Sequence, residues 1–446
     1  MSSDDGEVAV KRSILALMLA AAIAAPAAAQ APSSFPDAAA SDPVAMGWMV
    51  GAPPPPERII RFEDSSFLQF PQIRWTFSNW RQLFPTVEVS RGDGPVSALP
   101  RAERADLDAV SFQPLVGDAP MTWGASVAAN YTDGILVMHR GKIAYERYFG
   151  ALKPQGQHIA HSVTKSFVGT LAAMLVAEGK LDPAAPVTRY IPELKDSAFG
   201  DATVGQVLDM TTGLAYSEVY SDPNSPAWDF VRAGGLLPRP AGYSGPKTSF
   251  DYLKTLKKAG EHGAAFSYKS PNTEVVGWLV SRATGQPLAQ VLSERLWAPL
   301  GMEGDGYMQV DSVGAAYAAG GLNLRLRDFA RFCEMMRRGG SFNGRQVVPS
   351  TVVAGIAKGG DRAKFAPAGY KTLPGWSYHD QWWVSHNAHG AYMARGVHGQ
   401  ACYVDPKAEM IIVRFASFPL AANPNMDPIS LPAYHALAEH LMARPR

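Results

Sequence analysis

Ser162-Val163-Thr164-Lys165 places a hydroxyl and an amine three residues apart. Where such a pair opens a helix, both side chains lie on one face and the amine can reach the hydroxyl. The N–H groups and dipole at the helix N-terminus then favour the negative charge that develops as the oxygen attacks a carbonyl. The tetrapeptide is weak evidence by itself, since about one copy is expected by chance in a chain of this length. Ser244-Gly245-Pro246-Lys247 also matches, but it sits in a Gly/Pro loop where no helix can start and align the pair, and we set it aside.

Two later stretches supply what acyl transfer would need. Phe266-Ser267-Tyr268-Lys269-Ser270-Pro271-Asn272 reads as a turn ahead of an apolar helix over 275–283. A Tyr on such a turn can bring its phenol beside a Ser/Lys pair and carry a proton. Unperturbed Lys and Tyr are both protonated at neutral pH, so one must be shifted to act as a base. Burial would lower the Lys165 value, whereas a Lys165 that stays charged would favour a Tyr268 phenolate, and the two would titrate as a unit. Ala394-Arg395-Gly396-Val397-His398-Gly399-Gln400 is Gly-rich, so its backbone can approach a substrate closely and offer a main-chain N–H as half of an oxyanion hole. There is no Gly-x-Ser-x-Gly elbow, His-Glu-x-x-His helix, phosphate loop or Gly-x-Gly-x-x-Gly, and the histidines lack ligand spacing. Neither a metal nor a cofactor is expected.

Positioning these groups falls to a recognisable run of elements. Gly134–Met138 and Ile143–Phe149 are strand-like and separated by a short turn, a hairpin signal. Ser162–Gly179 is apolar with helical period, and Gly179 stops it. Residues 181–335 alternate short helical patterns with Gly/Pro/Ser loops, including the long tract Asp222–Lys247. Strand character returns at Cys402–Val404 and Met410–Phe415, and a helix is expected over Leu431–Met442. The order predicts an α/β protein: one antiparallel sheet built from both ends of the chain (74–180 and 336–446), flanked by helices, with an inserted, mostly helical lobe at 181–335 and a cleft between.

The composition suits a soluble globular protein, with 446 residues, 47% hydrophobic and 18% charged. A formal charge of +1, with no long run of either sign, gives no grip on nucleic acid. Lys11-Arg12, an apolar run from about Ile14 to Ala25 and Ala27-Ala28-Ala29 read as a signal peptide over 1–29, cleaved after Ala29. Export to the periplasm or medium follows. The run is too short to span a bilayer, which takes about 20 apolar residues, so no stable membrane insertion is expected. Residues 30–73, with Pro53-Pro54-Pro55-Pro56, read as an irregular leader, a linker or a wrapped arm. The sequence leaves open whether Cys333 and Cys402 pair, with two buried thiols the favoured reading. The oligomeric state stays open, with a homodimer among the options.

Further blocks, several of them without catalytic chemistry, add a resemblance: Arg74-Trp75-Thr76-Phe77, Leu181-Asp182-Pro183-Ala184, Gln206-Val207-Leu208-Asp209-Met210, Tyr220-Ser221-Asp222-Pro223 and Gln381-Trp382-Trp383. With the three motifs above, the chain from about Arg74 to Pro419 resembles the 6-aminohexanoate-dimer (nylon-oligomer) hydrolases and their carboxylesterase relatives, within the class C β-lactamase-like, penicillin-recognising serine hydrolases. The resemblance implies a β-lactamase-like fold, attack by Ser162, proton management by Lys165 and Tyr268, and an oxyanion held by the N–H groups of Ser162 and Val397. Tyr220 would contact the substrate amide, and Ser270, Asn272, Gly396 and His398 would line the substrate's side. The substrate would be a small ester or amide. Three positions depart from that family. Val231 stands where the nylon-adapted enzyme has an acid, for which Asp229 could substitute, and Leu236 stands in place of a Trp. Ala394 stands where penicillin-directed members have a Lys, so a D-Ala-directed peptidase or β-lactamase would need Arg395 as its carboxylate anchor. A catalytically inactive binding protein on the same fold is the remaining alternative, and the intact Ser162, Lys165 and Tyr268 argue against it.

Overall fold

The computed structural model describes residues 35–443, so the signal peptide read at 1–29 lies outside the described residues. Its strands include β1 (Thr86–Val89), β2 (Thr132–His139), β3 (Lys142–Tyr148), β4 (His158–Ile159), β5 (Gly306–Gln309), β6 (Leu322–Leu324), β7 (Ser377–His379), β8 (Trp382–Val384), β9 (Tyr392–Gly396), β10 (Gln400–Asp405) and β11 (Met410–Ala416). The helices that matter most are α1 (Val163–Ala177), α2 (Pro226–Ala233), α3 (Pro271–Thr284), α4 (Leu326–Arg337) and α5 (Asp427–Ala443).

Seven strands form an antiparallel sheet in the order β7-β8-β9-β10-β11-β2-β3. Strand β11, near the C-terminus, pairs with β2, with Ile412 opposite Val137, so both ends of the chain build the centre of the sheet. Successive side chains of a strand point to opposite faces. Leu136 and Met138 therefore join one core with Val413 and Phe415, against α1 and α4, while Ile135 and Val137 join another with Ile412 and Tyr403, against α5. Cover on both faces explains why these strands read as continuous hydrophobic runs.

A smaller antiparallel sheet has the order β1-β5-β6-β4. Its strands β5 and β6 come from the stretch expected to be mostly helical. Helix α4, from the same stretch, lies on the large sheet, so the helical part is shorter than 181–335. It shares one continuous core with α1.

Residues 35–84 form turns and short helical segments wrapped on the body, with Trp48, Ile60, Phe67, Ile73, Phe77, Trp80 and Phe84 packed around Ile159 and Tyr307. Buried Arg74 fastens this arm. Its guanidinium donates to the Ala38 carbonyl at 3.0 Å and pairs with Asp133 on β2, whose other oxygen lies 3.2 Å from His158.

The expectation of two buried thiols is corrected: Cys333 on α4 and Cys402 on β10 are fully buried but joined as a disulfide, because α4 lies directly across β10. No helix among the described residues is long and apolar enough to cross a membrane.

Candidate active site

Strand β4 delivers the chain to Ser162, which caps α1 after a left-handed residue, His161 at φ 46°. Phe77 and Trp80 of the arm pack edge-on against the His161 ring at 4.6 and 5.9 Å, fixing the turn from behind. Ser162 retains slight exposure, whereas Lys165, one turn on, is 1% exposed. Lys165 Nζ lies 3.0 Å from Ser162 Oγ and donates to the Ala319 carbonyl at 2.6 Å. The Ala319 N–H in turn donates to Glu274, a carboxyl buried on α3, at 2.7 Å.

Tyr268 reaches the pair from the segment leading into α3. Its ring lies 5.2 Å from Lys165 Nζ and stacks on Trp383 of β8 at 5.5 Å. Burial pushes Lys165 down to about 8, opposed by the negative charges of Glu218 and Glu274. Burial pushes Tyr268 well above its ordinary value, and the Glu218 charge adds to this, while the Ser162 hydroxyl and the Arg395 guanidinium pull the other way. Burial therefore brings the Lys165 amine towards neutrality and keeps the Tyr268 phenol protonated. Both directions favour the amine over the phenolate as the base.

Gly396 ends β9 beside this group. A Cβ there would meet the Ala160 carbonyl at 2.8 Å, so only glycine lets β9 run this close to the segment entering α1. Among the described residues, neither the Ser162 nor the Val397 N–H has an acceptor inside the protein, which leaves both for an oxyanion.

The structure also moves some expected contacts away from the cleft. Asn272 is fully buried, accepting from Thr212 at 2.7 Å and donating to the Lys269 carbonyl at 3.1 Å, so it does not face a substrate. The reason is Pro271, which starts α3 at its first position and turns Asn272 inward. Ser270 is likewise buried, its N–H and hydroxyl donating to Glu218 at 2.8 and 2.7 Å. His398 takes φ 60° and donates from Nδ1 to the Phe418 carbonyl at 2.7 Å, its ring against Phe77. Burial holds it at about 4, so it is neutral and acts on the backbone shape next to Val397. Tyr220 stays half-buried, donates to Glu218 and packs against Trp228 at 6.3 Å.

Asp229, two residues before Val231, is mostly exposed and pairs with Arg232 at 2.8 Å, while Val231 and Leu236 pack against the main core. Arg395 is no free anchor either, because it is buried against Asp427 and over Trp383. The acid that does reach the cleft is Glu218, held by Ser270 and Tyr220, and no spacing signal in the sequence marks it. Glu274 was equally hidden. Two His/Asp/Glu groups with ligand-like proximity occur among the described residues, His389/His435/Glu439 and Asp209/His379/Asp380, and neither includes a residue of the Ser162 group.

A Ser/Lys pair at a helix N-terminus, met by a Tyr from a helical part and by the backbone of a sheet strand, defines a serine hydrolase of β-lactamase type. The β-lactamase family model matches residues 125–427, and the chain belongs to that family. Over 391 residues it is 34% identical to the 6-aminohexanoate-dimer hydrolase of Paenarthrobacter ureafaciens, covering 87% of this chain and 92% of the relative. It is 31% identical over 195 residues to the esterase EstB of Burkholderia gladioli, spanning 40% of this chain and 47% of that one. Among solved structures, the "Putative 6-aminohexanoate-dimer hydrolase from Bacillus anthracis" superposes with a TM-score of 0.79 at 30% identity, covering 88% of this chain and all of that one.

Proposed function

We propose that this hydrolase forms an acyl-enzyme on Ser162 with carboxylic esters and small amides, linear amino-acid oligomers of the 6-aminohexanoate type among them. The observation that carries the reading is Lys165 Nζ at 3.0 Å from Ser162 Oγ, in buried surroundings that bring the amine towards neutrality. Lys165 takes the hydroxyl proton as Oγ attacks the carbonyl carbon. The N–H groups of Ser162 and Val397 stabilise the resulting oxyanion. Tyr268 gives its proton to the departing alcohol or amine, and the Lys165 ammonium returns one to the phenolate. Water then repeats the sequence on the acyl-enzyme and releases the acid. The similarity to a 6-aminohexanoate-dimer hydrolase over most of both chains supports an amide substrate, and the likeness to EstB supports esters. Penicillin and D-Ala-D-Ala substrates are disfavoured, since Ala394 offers no cation and Arg395 is committed to Asp427.

We also propose export, supported by the leader sequence and by a disulfide in a chain with only two cysteines, since such bonds persist in oxidising compartments.

Incubation with ester and amide panels followed by intact-mass analysis should find one acyl adduct on Ser162. Ser162→Ala should fold normally and retain less than about a thousandth of the hydrolytic rate. An adduct elsewhere, or a variant faster than that, contradicts the assignment.

A further inference from the structure

The loop between β8 and β9 carries His389, whose side chain is only 3% exposed. Its Nδ1 lies 2.7 Å from Asp405 Oδ2 at the end of β10, and Asp405 is itself fully buried and fixed by the Ala408 N–H at 2.9 Å. That bond puts a proton on Nδ1. Nε2 points outward to Glu439 Oε1 at 2.8 Å. A doubly protonated ring would donate to both carboxylates, whereas a ring protonated on Nδ1 alone turns a lone pair outward towards Glu439 and His435. His435 lies one turn before Glu439 on the same face of α5, and its ring centre is 5.1 Å from that of His389. One donor atom from each of the three residues lies within 4.8 Å of the others.

We propose that His389, His435 and Glu439 form a divalent metal site of zinc type that clips α5 to the β8–β9 loop. Two imidazoles and one carboxylate are a donor set for zinc and its neighbours and a poor one for calcium or magnesium. Asp405 supplies the outer carboxylate that orients a ligating imidazole and fixes its tautomer. Metal–ligand bonds of about 2.0–2.2 Å set tetrahedral ligand atoms about 3.4 Å apart, so Glu439 must draw back a little from the His389 ring, and His435 and Glu439, both exposed side chains on one helix face, can turn to do so. Spacing alone did not reveal the site, because its deepest ligand comes from a loop about 45 residues before the helix that supplies the other two. The site stands at the far end of β9 from Gly396, so its work is to fasten the C-terminal helix.

The test uses the full chain, stripped with a chelator and titrated with zinc, then with magnesium, in a calorimeter. We expect one zinc per chain, no magnesium, and a thermal midpoint that rises by about 2–4 °C at zinc about a hundredfold above Kd. Glu439→Gln and His435→Ala, both at exposed positions, should each weaken zinc by at least about tenfold. Asp209→Asn, in the other group, should leave it unchanged. No zinc uptake by the stripped protein, unaltered affinity in both α5 variants, or loss of zinc in Asp209→Asn would each overturn the proposal.

Discussion

The environment of Lys165 sets the direction of the pH response. Only the neutral amine can accept the Ser162 proton, and burial brings its pKa to about 8, so kcat/KM should climb with pH through a limb near there. Glu218 is the neighbour that most opposes this depression, so Glu218→Gln should move the limb to lower pH. A pH–rate profile of both proteins checks it, and a limb that stays in place, or a rate that falls through that range, contradicts the assignment. Tyr268 acts at the opposite end of the reaction. An activated phenolate leaves without a proton but an amine cannot, so Tyr268→Phe should slow an amide at least about tenfold more than a matched nitrophenyl ester. Lys165→Ala should slow both alike, because nucleophile activation precedes either departure. Equal losses for the two substrates in Tyr268→Phe would remove it as the leaving-group acid. Ser162, Lys165 and Tyr268 were legible in the sequence because each sits at a signalled boundary, a helix start or a turn. Glu218 and Glu274 were not, since each is a lone acid whose partners arrive from distant segments.

Helix α1 shows how one element depends on another. Its Gly169 meets the left-handed pair Asp380 and Gln381, and a Cβ there would stand 2.3 Å from the Asp380 carbonyl. Gln381 donates to the Leu208 carbonyl at 2.7 Å and accepts from Thr273 on α3 at 2.8 Å, so this contact ties the nucleophile helix to the helix that follows Tyr268. Alanine improves helix propensity by about 1 kcal/mol, but a clash with backbone that cannot yield costs about 1–3 kcal/mol. Gly169→Ala should therefore lower the denaturant midpoint together with activity, and a variant as stable as the parent would show that the contact is slack. Element types were readable wherever period was strong, as in α1 and the β2–β3 hairpin. Boundaries failed at prolines: α3 starts at Pro271, and α5 starts at Asp427 because Pro428 fits a first turn and Pro432, inside the helix, masked that turn in the pattern. The depth at which Asn272 lies followed from that shift.

For the molecule as a whole, the proposed export rests on the signal peptide read at 1–29 and on the disulfide. Protein recovered from its native host should begin at or near Gln30, as N-terminal sequencing would show, and a chain retaining Met1 in the cytoplasm would refute export. The layered core and the sheet drawn from both chain ends were readable because periodicity changed at each end. The bonded arm of residues 35–84 was less so, since its partners Asp133 and Ile159 lie well beyond it in sequence. The pairing of β2 with β11 carries a further consequence, for the protein's birth. The ribosome releases β2 long before β11 exists, and Ser162 long before Val397. A half-made chain has a nucleophile with no completed oxyanion site and a central strand with one edge unpaired. Such distant pairings fold slowly and leave that edge open to aggregation in the interval. The nascent hydrolase therefore stays chemically silent towards its surroundings until Val397 and β11 have been made, and its most exposed moment is the interval before then.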